Sequence, residues 1–261
     1  MKYLVCIKQV PKINKVSIDP ITKNLIRDGI KTIINPADVN ALTLALKLKS
    51  QTGGSIAVLT MGPPQAIDSV KECIAMGADE GYILSGREFS GADTLATSYS
   101  LYKAIEYIGN FDVVLTGDRT LDGDTAQVGS EIAEFLNFNQ ATFIKDANFK
   151  DGYFQVVRKL SDKLEKQNLR GKVLFTVIKD ANEPVNIRKK DMEMVDESKI
   201  KIIGSKDIGA DLEKIGTKGS PTMVLETFSP KEHEKGFFLE GTNEKMVDKL
   251  IEILKNEGFA G

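Results

Sequence analysis

The chain has 261 residues, and its 35 Lys and Arg residues against 37 Asp and Glu residues give a formal net charge of −2. This near-neutral balance gives no reason to expect nucleic acid as a partner. With one His, two Cys and no Trp, the chain alone lacks the ligands for a His-rich zinc site, a protein-held iron–sulfur cluster or a disulfide framework. A Ser-His-Asp triad would have to use His233, which lies in a polar stretch rich in Lys and Glu.

Neither a membrane segment nor a targeting segment is expected. No stretch approaches the roughly 18 apolar residues that would cross a bilayer. The apolar run that ends at Ile7 is too short for the core of a signal peptide. Both cysteines, Cys6 and Cys73, lie among apolar residues. The sequence therefore predicts a reduced, cytoplasmic protein without a membrane span.

The first part of the chain alternates between strand and helix patterns. Short β-branched or apolar runs predict strands over 3–7, 56–60, 82–84 and 113–116. Between and after them lie four segments with helical spacing. Such alternation is typical of right-handed βαβ units, which build a parallel sheet covered by helices on both faces. The predicted fold is therefore α/β, with a doubly wound, mostly parallel sheet of the Rossmann-like kind.

Capping and stop signals place the helices. The first begins at Asn35-Pro36-Ala37-Asp38, where Asn suits the N-cap, Pro the first turn and Asp the positive end of the helix dipole, and it ends at Gly53-Gly54. The other three are predicted from near Pro64 to Gly77, from Asp93 or Thr94 to about Ile108, and after Asp124. The residues expected to face the core are, helix by helix, Val39, Leu42 and Leu46; Ile67, Val70 and Ile74; Leu95, Tyr102 and Ile105; and Val128, Ile132 and Phe135.

The pattern changes after Gln140. Residues 141–147, 153–160 and 172–178 predict strands with no helix between them, and Asp151-Gly152 marks a turn between the first two. We therefore expect these three strands to pair antiparallel at one edge of the same sheet.

The remaining chain is more irregular. Residues 180–201 are highly charged and predict a surface loop leading to a short helix, and a final helix is predicted from about Asn243. Between them, residues 216–241 are rich in Gly, Pro and charge but also carry apolar side chains that need a cover. We predict an α/β domain over 1–225 and a C-terminal arm over 226–261. The arm packs either on its own domain or on a partner subunit, and the sequence leaves both open.

Ligands of a doubly wound sheet bind in the crevice at the carboxyl ends of its parallel strands. The loop at this edge with the clearest pattern is 117–129, Gly-Asp-Arg-Thr-Leu-Asp-Gly-Asp-Thr-Ala-Gln-Val-Gly, which follows an apolar strand and enters a helix. Its small residues Gly123, Thr125 and Ala126 would let a diphosphate reach the amides at the helix N-terminus. The alternative is an ordinary Gly-rich turn between a strand and a helix.

Other polar residues at this edge have two interpretations each. Asp122 and Asp124 are unsuited to face a phosphate, so they fit better as caps or as acceptors for ribose and backbone groups. Thr94 and Thr97 lie one turn apart at a helix start, where they either bond a ribose or phosphate or merely cap the helix. Lys8 is either a phosphate partner or a solvated lysine.

Two common nucleotide signatures are absent from the sequence. No Gly-x-Gly-x-x-Gly follows the first strand, which disfavours a standard dinucleotide-binding Rossmann half. No Gly-x-x-x-x-Gly-Lys-[Ser/Thr] is present, which argues against a P-loop phosphotransferase.

Eight short motifs follow one another along the chain: Val5-Cys-Ile-Lys-Gln-Val-Pro11, Ile34-Asn-Pro-Ala-Asp38, Met61-Gly-Pro63, Ala75-Met-Gly-Ala-Asp79, Asp112-Val-Val-Leu-Thr-Gly117, Asp122-Gly-Asp-Thr-Ala-Gln127, Ala181-Asn-Glu-Pro184 and Gly219-Ser-Pro-Thr222. Each motif alone is weak, but their order is specific. With them, the sequence resembles the small (beta) subunit of the electron-transfer flavoproteins over essentially its whole length.

This resemblance implies a heterodimer with a larger alpha subunit and an adenine-nucleotide site in this chain. Backbone around 6–8 and 35–38 would hold the adenosine, and the turn 123–128 would hold the phosphates. Together with the strand ends, it gives these candidate cofactor-binding residues: Cys6, Ile7, Lys8, Asn35, Asp38, Thr60, Gly62, Asp93, Thr94, Thr97, Asp122, Gly123, Asp124, Thr125, Ala126, Gln127 and Val128. Neither a catalytic residue nor a metal ligand is predicted, because a flavin would carry the electrons.

The nucleotide is AMP in simple members of this family and FAD in electron-bifurcating members. The small residues of the phosphate turn and the 91–97 segment resemble the bifurcating kind, which implies FAD. Hydride would then pass from NADH to the flavin, and the electrons would divide between ferredoxin and a second flavin in the alpha subunit. That second flavin would feed a dehydrogenase of acyl-CoA or hydroxy-acid type. Any oxidoreductase activity would belong to the whole complex.

A partner dehydrogenase would dock on the loop that follows Ala181-Asn-Glu-Pro184. In this family that loop carries an apolar anchor flanked by polar residues, and here Ile187 is the predicted anchor beside Arg188 and Lys189. The alternative is a charged loop that is merely solvated. For the whole chain, two other functions stay open: a non-bifurcating subunit that holds AMP, and a nucleotide-binding domain without flavin.

Overall fold

The protein is described by a computed structural model over residues 1–12, 31–226, 236 and 238–259. His233 and several other residues of the predicted arm therefore lie outside the described residues. Residues 1–12 and 31–225 belong to one compact unit, and the described residues from Glu226 onward belong to a second.

The first unit is built on a nine-stranded sheet. Its strand order is β11-β5-β4-β1-β6-β10-β7-β8-β9, and a separate antiparallel pair is formed by β2 and β3. The strands are β1 (Lys2–Cys6), β2 (Gln9–Pro11), β3 (Thr32–Ile34), β4 (Ser55–Met61), β5 (Glu80–Leu84), β6 (Val113–Gly117), β7 (Asn139–Lys150), β8 (Tyr153–Lys159), β9 (Leu164–Leu169), β10 (Val173–Val177) and β11 (Ile200–Ile203). All pairings from β11 to β7 are parallel, and β8 and β9 extend the sheet antiparallel.

Helices cover both faces of this sheet. They are α1 (Pro36–Thr52), α2 (Ile67–Met76), α3 (Thr94–Ile108) and α4 (Val128–Leu136). The described chain also forms a short helix α5 (Lys189–Glu193) and, in the second unit, α6 (Asn243–Asn256). Tyr3 and Val5 of β1 face a core shared with α1 and α2, whereas Leu4 faces a core shared with α3 and α4. This alternation confirms the predicted doubly wound α/β fold.

The prediction for the strands after Gln140 is right in part. β7 and β8 form the expected hairpin around Asp151-Gly152. β10, however, pairs parallel with β6 and β7, so the expectation that residues 172–178 pair antiparallel at the edge is wrong. All five of its residues are buried, which is typical of an interior parallel strand. The edge strands β9 and β11 were not predicted, because β9 alternates with charged residues and β11 follows a charged loop.

Two helix faces differ from the predicted ones. Leu95, expected in the core, is 43% exposed, and Phe135 is 37% exposed. Phe135 instead stacks on Tyr102 at 5.3 Å between ring centroids and meets Tyr99 edge-on at 6.0 Å, away from the buried stripe. The buried face of α3 carries small residues, including Ala96, Ser98, Ser100 and Ala104.

The second unit contains one described element, α6. It begins at Asn243 as predicted, and none of its residues is buried. Its exposed apolar side chains are Val247, Leu250, Ile251 and Leu254. The helices in the described part of the chain include none that is both long and apolar enough to cross a membrane.

Candidate functional site

The carboxyl ends of β1 and β6 lie side by side where the strand order reverses, which is the usual ligand crevice of such a sheet. Asp38, in the first turn of α1, joins these two ends. Its Oδ2 accepts a hydrogen bond from the backbone N–H of Lys8 at 2.7 Å, and its Oδ1 accepts one from the backbone N–H of Gly117 at 2.9 Å. Gly117 permits this contact because a Cβ there would collide with the Asp38 carboxylate.

The Asp38 carboxyl is buried, and its pKa lies well above the usual value for an Asp. Burial raises its pKa to about 7, although the hydrogen bonds from Asn35, Lys8 and Gly117 act in the opposite direction. Both of its oxygens are already used by groups of the protein. Asp38 therefore shapes the crevice by holding two strand ends rather than by presenting a free carboxylate.

Asn35 holds the loop that follows β6. It occupies the predicted N-cap position of α1, but its side chain makes no capping hydrogen bond. Instead its Nδ2 donates to the carbonyl of Arg119 at 2.9 Å and to Asp38 Oδ1 at 3.0 Å, and its Oδ1 accepts from the backbone N–H of Leu121 at 3.3 Å. The buried Asn35 thus fixes the start of the predicted phosphate turn.

The turn itself is open and has an unusual backbone. Asp124 and Ala126 have positive φ angles of 50° and 56°. Among the described residues, the backbone N–H groups of Thr125, Ala126 and Gln127 donate no hydrogen bond. Successive free amides in a turn with left-handed residues form a concave anion-binding arrangement. The turn leads directly into α4, whose N-terminus adds a favourable dipole.

Two ion pairs neutralise the carboxylates of this turn. Lys8 Nζ contacts both oxygens of Asp122, at 2.8 and 2.7 Å, and so bridges the crevice between the β1 and β6 loops. Burial raises the pKa of Asp122, but the hydrogen bonds from Lys8 and Thr120 outweigh it and hold that pKa below its usual value. Asp124 is paired with Arg119 at 3.2 Å. Each carboxylate near the free amides is therefore paired with a cation.

A cavity of about 920 Å³ adjoins this turn. Its lining includes Asn35 and Asp124 on one side and the turn between β8 and β9 on the other. Its volume lies within the range usual for small-molecule sites. The other lining residues are Pro36, Ala37, Asp118, Arg119, Thr120, Leu121, Phe143, Lys159, Leu160, Ser161, Asp162, Ile178 and Lys179.

Asp118 lines this cavity and was not singled out from the sequence. Its side chain is only 8% exposed, and Oδ2 accepts a hydrogen bond from Arg119 Nε at 3.0 Å. Its Oδ1 is buried without a partner in the described chain. Such an unpaired acceptor costs about 1–3 kcal/mol. The signal that could have found it is its place directly after β6, at the crevice edge of the sheet.

Polar side chains of the 93–97 segment form hydrogen bonds within the protein. Asp93 caps α3 by accepting from the Ala96 N–H at 3.0 Å, and it also accepts from the Thr222 hydroxyl at 2.8 Å. Thr94 donates to Glu131 of α4 at 3.2 Å, which brings the segment beside the start of that helix. Thr97 is half-buried in the first turn of α3. The cap of α3 is therefore Asp93 and not Thr94 or Thr97, the residues for which capping was the alternative, and a role of this segment in ligand binding stays a prediction.

The candidates at the carboxyl ends of β1 and β4 are mostly buried. Cys6, Ile7 and Thr60 are buried, and the Ile7 N–H donates to the Leu59 carbonyl at 2.8 Å. Burial raises the pKa of the Cys6 thiol to about 12, so it stays protonated and unreactive. Gly62 donates its N–H to the Leu84 carbonyl at 3.0 Å. Of the remaining candidates, Gly123 and Gln127 are exposed in the turn and Val128 is half-buried at the start of α4.

The predicted docking loop is anchored to α1. The buried Asn40 donates Nδ2 to the Asn182 carbonyl at 2.8 Å and accepts from the Asp180 N–H at 3.0 Å. Ile187 is half-buried and packs against the core cluster, whereas Met194 is 74% exposed.

Two charged residues of this loop lie at the start of α5. Arg188 is paired with Asp191 at 2.8 Å, and Lys189 is exposed. Among the apolar side chains near this loop, Met194 is thus more exposed than the predicted anchor Ile187.

Comparison with known proteins decides the family. Residues 22–201 match the electron transfer flavoprotein domain. The electron transfer flavoprotein subunit beta of Thermoanaerobacterium thermosaccharolyticum is 42% identical over 257 residues, which cover 98% of each chain. The chain belongs to the electron transfer flavoprotein family.

Other relatives of this electron transfer flavoprotein chain carry more specific names. The caffeyl-CoA reductase-Etf complex subunit CarD of Acetobacterium woodii is 41% identical over 259 residues, covering 98% of this chain and 99% of that one. The acryloyl-CoA reductase electron transfer subunit gamma of Anaerotignum propionicum is 38% identical over 264 residues, covering 97% and 98%. The family resemblance found in the sequence is confirmed.

Proposed function

We propose that this chain is the beta subunit of a heterodimeric, electron-bifurcating electron transfer flavoprotein, and that it binds FAD at the crevice between the β1 and β6 loops. The observation that carries the proposal is the open turn before α4. There Thr125, Ala126 and Gln127 offer three N–H groups without partners among the described residues.

The residues of the crevice fit an adenine dinucleotide. Free amides and the N-terminus of α4 suit the diphosphate. Lys8 and Arg119 lie beside them as cations, each able to exchange its carboxylate partner for a phosphate. The cavity of about 920 Å³ next to the turn is lined by Asp124 and by the β8–β9 turn, and it offers room for more than a mononucleotide beside the free amides. This neighbouring space favours FAD over AMP.

In this proposal the chain binds and orients its cofactor and performs no covalent chemistry. When bound, FAD would take hydride from NADH and pass electrons to ferredoxin and to the flavin of the alpha subunit. Asp38 and Asn35 would hold the strand ends and the turn in place. The 93–97 segment, fixed to α4 through Thr94 and Glu131, would border the same cofactor.

The second unit is proposed to be the arm that packs on the alpha subunit. On α6 the apolar residues Val247, Leu250, Ile251 and Leu254 are exposed and lie at helical spacing. An apolar helix face of this kind is typical of a subunit interface.

The partner dehydrogenase is proposed to be of the acyl-CoA type. Two relatives similar over nearly their whole length are named for caffeyl-CoA reductase and acryloyl-CoA reductase. The docking loop, with exposed Met194 beside charged residues, suits a transient and salt-sensitive contact.

A cofactor count tests the proposal. The chain is purified together with its alpha subunit, the complex is denatured, and released FAD and AMP are measured per heterodimer. Two FAD support the proposal. One FAD with one AMP overturns the bifurcating role and leaves a chain that holds a structural AMP. A colourless complex overturns any flavin role, and ferredoxin reduction by NADH in the intact complex provides a second readout.

A further inference from the structure

A reciprocal pair of hydrogen-bonded amides holds the start of the docking loop, residues 185–195. Asn40, in the second turn of α1, donates Nδ2 to the backbone carbonyl of Asn182 at 2.8 Å and to its Oδ1 at 2.9 Å. In return, Asn182 Nδ2 donates to the Asn40 carbonyl at 3.0 Å. The N–H of Asp180 donates to Asn40 Oδ1 at 3.0 Å. We call these four hydrogen bonds the Asn40–Asn182 clamp.

The clamp combines a buried side chain with an unusual backbone. Asn40 is 3% exposed, and burial of a side-chain amide is unfavourable unless its polar atoms are hydrogen-bonded. Asp180 has a positive φ of 62°, a conformation that persists only where the surroundings hold it. A buried polar side chain thus fixes the backbone from which the docking loop departs.

The docking loop has few other polar connections. In the described chain, the hydrogen bonds of residues 185–195 are all formed within the loop itself. Ile187 packs against the core cluster, and Glu197, beyond the loop, forms an ion pair with Lys71 of α2 at 2.6 Å. Ion pairs with an exposed partner contribute little. The clamp is therefore the main polar connection between this loop and the rest of its unit.

The order of this loop matters for a transient contact. A loop that is already ordered loses less conformational freedom when a partner binds, so it binds that partner more tightly than a mobile loop does. The exposed apolar side chains Val185 and Met194 lie within the loop. The helix that carries Asn40 also carries Asp38, which joins the ends of β1 and β6. One helix therefore supports both the crevice and the docking loop.

We propose that Asn40 is a positioning residue for partner docking: through Asn182 it holds residues 185–195 in the conformation that a dehydrogenase of the acyl-CoA type recognises. The inference rests on the proposed function, since it requires that this loop docks the dehydrogenase. Asn182 lies in one of the eight motifs, whereas Asn40 lies in none of them.

The test measures electron transfer from the complex of this chain with its alpha subunit. The complex is reduced chemically, and its oxidation by an acyl-CoA dehydrogenase is followed by stopped flow over a range of dehydrogenase concentrations. The concentration that gives half the limiting rate reports docking, and the limiting rate reports transfer after docking. Asn182→Ala removes two hydrogen bonds of the clamp. It should raise the half-saturating concentration about fivefold or more and keep the limiting rate within about twofold.

A double-mutant cycle separates positioning from a general loss of stability. Asn40→Ala should also raise the half-saturating concentration, and the double variant should be no worse than Asn40→Ala, because both substitutions act through the same clamp. Asn139→Ala is the matched control, since Asn139 Nδ2 donates to the Arg170 carbonyl at 2.9 Å elsewhere in the same unit. It should leave both kinetic values unchanged. If Asn40→Ala does not fold, Asn182→Ala and the control still decide.

Four results overturn the inference alone. Asn182→Ala leaves the half-saturating concentration unchanged, Asn139→Ala raises it equally, the effects of the two clamp substitutions add, or the limiting rate falls in place of docking. If the unaltered complex reduces no acyl-CoA dehydrogenase at all, the proposed function fails and the inference fails with it.

Discussion

The Asp38 carboxylate accepts a hydrogen bond of 2.9 Å from the backbone amide of Gly117, a residue 79 positions away in the chain. The same carboxylate accepts from the amide of Lys8, so one buried side chain holds the ends of β1 and β6 together. These two ends flank the proposed nucleotide crevice. The charge state of Asp38 therefore links the stability of the fold to the shape of the site.

The raised pKa of Asp38 predicts how stability varies with pH. An Asp in an unfolded chain has a pKa of about 3.9, whereas burial raises that of Asp38 to about 7. Between these values the folded protein holds a proton that the unfolded chain releases. The stabilisation from this group is therefore complete below pH 4 and is lost as the pH rises through 7.

The comparison with Asp38→Asn isolates this effect, because Asn does not titrate. The free energy of unfolding of the unaltered protein, minus that of Asp38→Asn, should fall by on the order of 4 kcal/mol between pH 4 and pH 8. Urea unfolding of both proteins at a series of pH values measures this difference in the free energy of unfolding. A difference that stays constant with pH would contradict the raised pKa.

Local signals allowed the parallel half of the fold to be predicted. Asn35-Pro36 and Gly53 marked both ends of α1, and apolar runs marked β1, β4 and β6. The place of β10 was not predicted, because pairing order depends on contacts between distant segments. The nearly continuous apolar run Val173-Leu-Phe-Thr-Val177, without polar alternation, could have argued for an interior strand.

The site was predicted in outline but not in its internal bonding. The turn 123–128 follows a recognisable pattern of small residues before a helix. The partners of Asn35 and Asp38 could not be read from the sequence, because both depend on segments brought near by folding. Asp118 follows an apolar strand without any motif of its own to mark its burial.

Lys8 provides a test of the proposed phosphate site. Its ammonium group is partly exposed and paired with Asp122, so Lys8→Ala should change the free energy of unfolding by less than about 1 kcal/mol. Nucleotide binding, in contrast, should weaken about tenfold at low salt and less at high salt, because a charged partner of the phosphate is lost. Calorimetric titration of the complex with AMP measures both the affinity and its salt dependence.

Lys71→Ala is the matched control for Lys8→Ala, since Lys71 forms an ion pair with Glu197 elsewhere in the same unit. It should leave the affinity for AMP unchanged. An equal loss in both variants, or no loss in Lys8→Ala, would remove Lys8 from the nucleotide site.

Gly129 tests whether the position of α4 matters for binding. A Cβ at this residue would lie 2.6 Å from Thr176 Cγ2 and 2.7 Å from Thr116 Oγ1. Gly129→Ala should therefore push α4 away from the sheet, cost about 1–3 kcal/mol of stability and weaken nucleotide binding. Thermal unfolding with and without AMP measures both effects. Gly204→Ala is the control, because a Cβ at Gly204 would lie 3.7 Å from its nearest neighbouring atoms, an ordinary contact distance. It should change neither the stability nor the affinity for AMP. Equal effects of the two substitutions would contradict a role for the position of α4.

The docking loop makes a prediction that separates two apolar side chains. Met194 is 74% exposed, whereas Ile187 packs against the core cluster. Met194→Ala should slow electron transfer from the complex to its dehydrogenase about fivefold or more, as expected for an interface anchor, and change the free energy of unfolding by less than about 0.5 kcal/mol. Ile187→Ala should reduce stability by about 1 kcal/mol, because packing is lost. Stopped-flow reduction of the dehydrogenase and urea unfolding measure the two effects.

Leu164→Ala serves as the control, because Leu164 is also an exposed apolar residue but lies at the start of β9. It should transfer electrons at the unaltered rate. All three variants should oxidise NADH normally with an artificial acceptor, since that reaction bypasses the dehydrogenase. If Ile187→Ala slows the transfer at unchanged stability while Met194→Ala has no effect, Ile187 is the anchor and the exposed fraction of a side chain does not identify the contact.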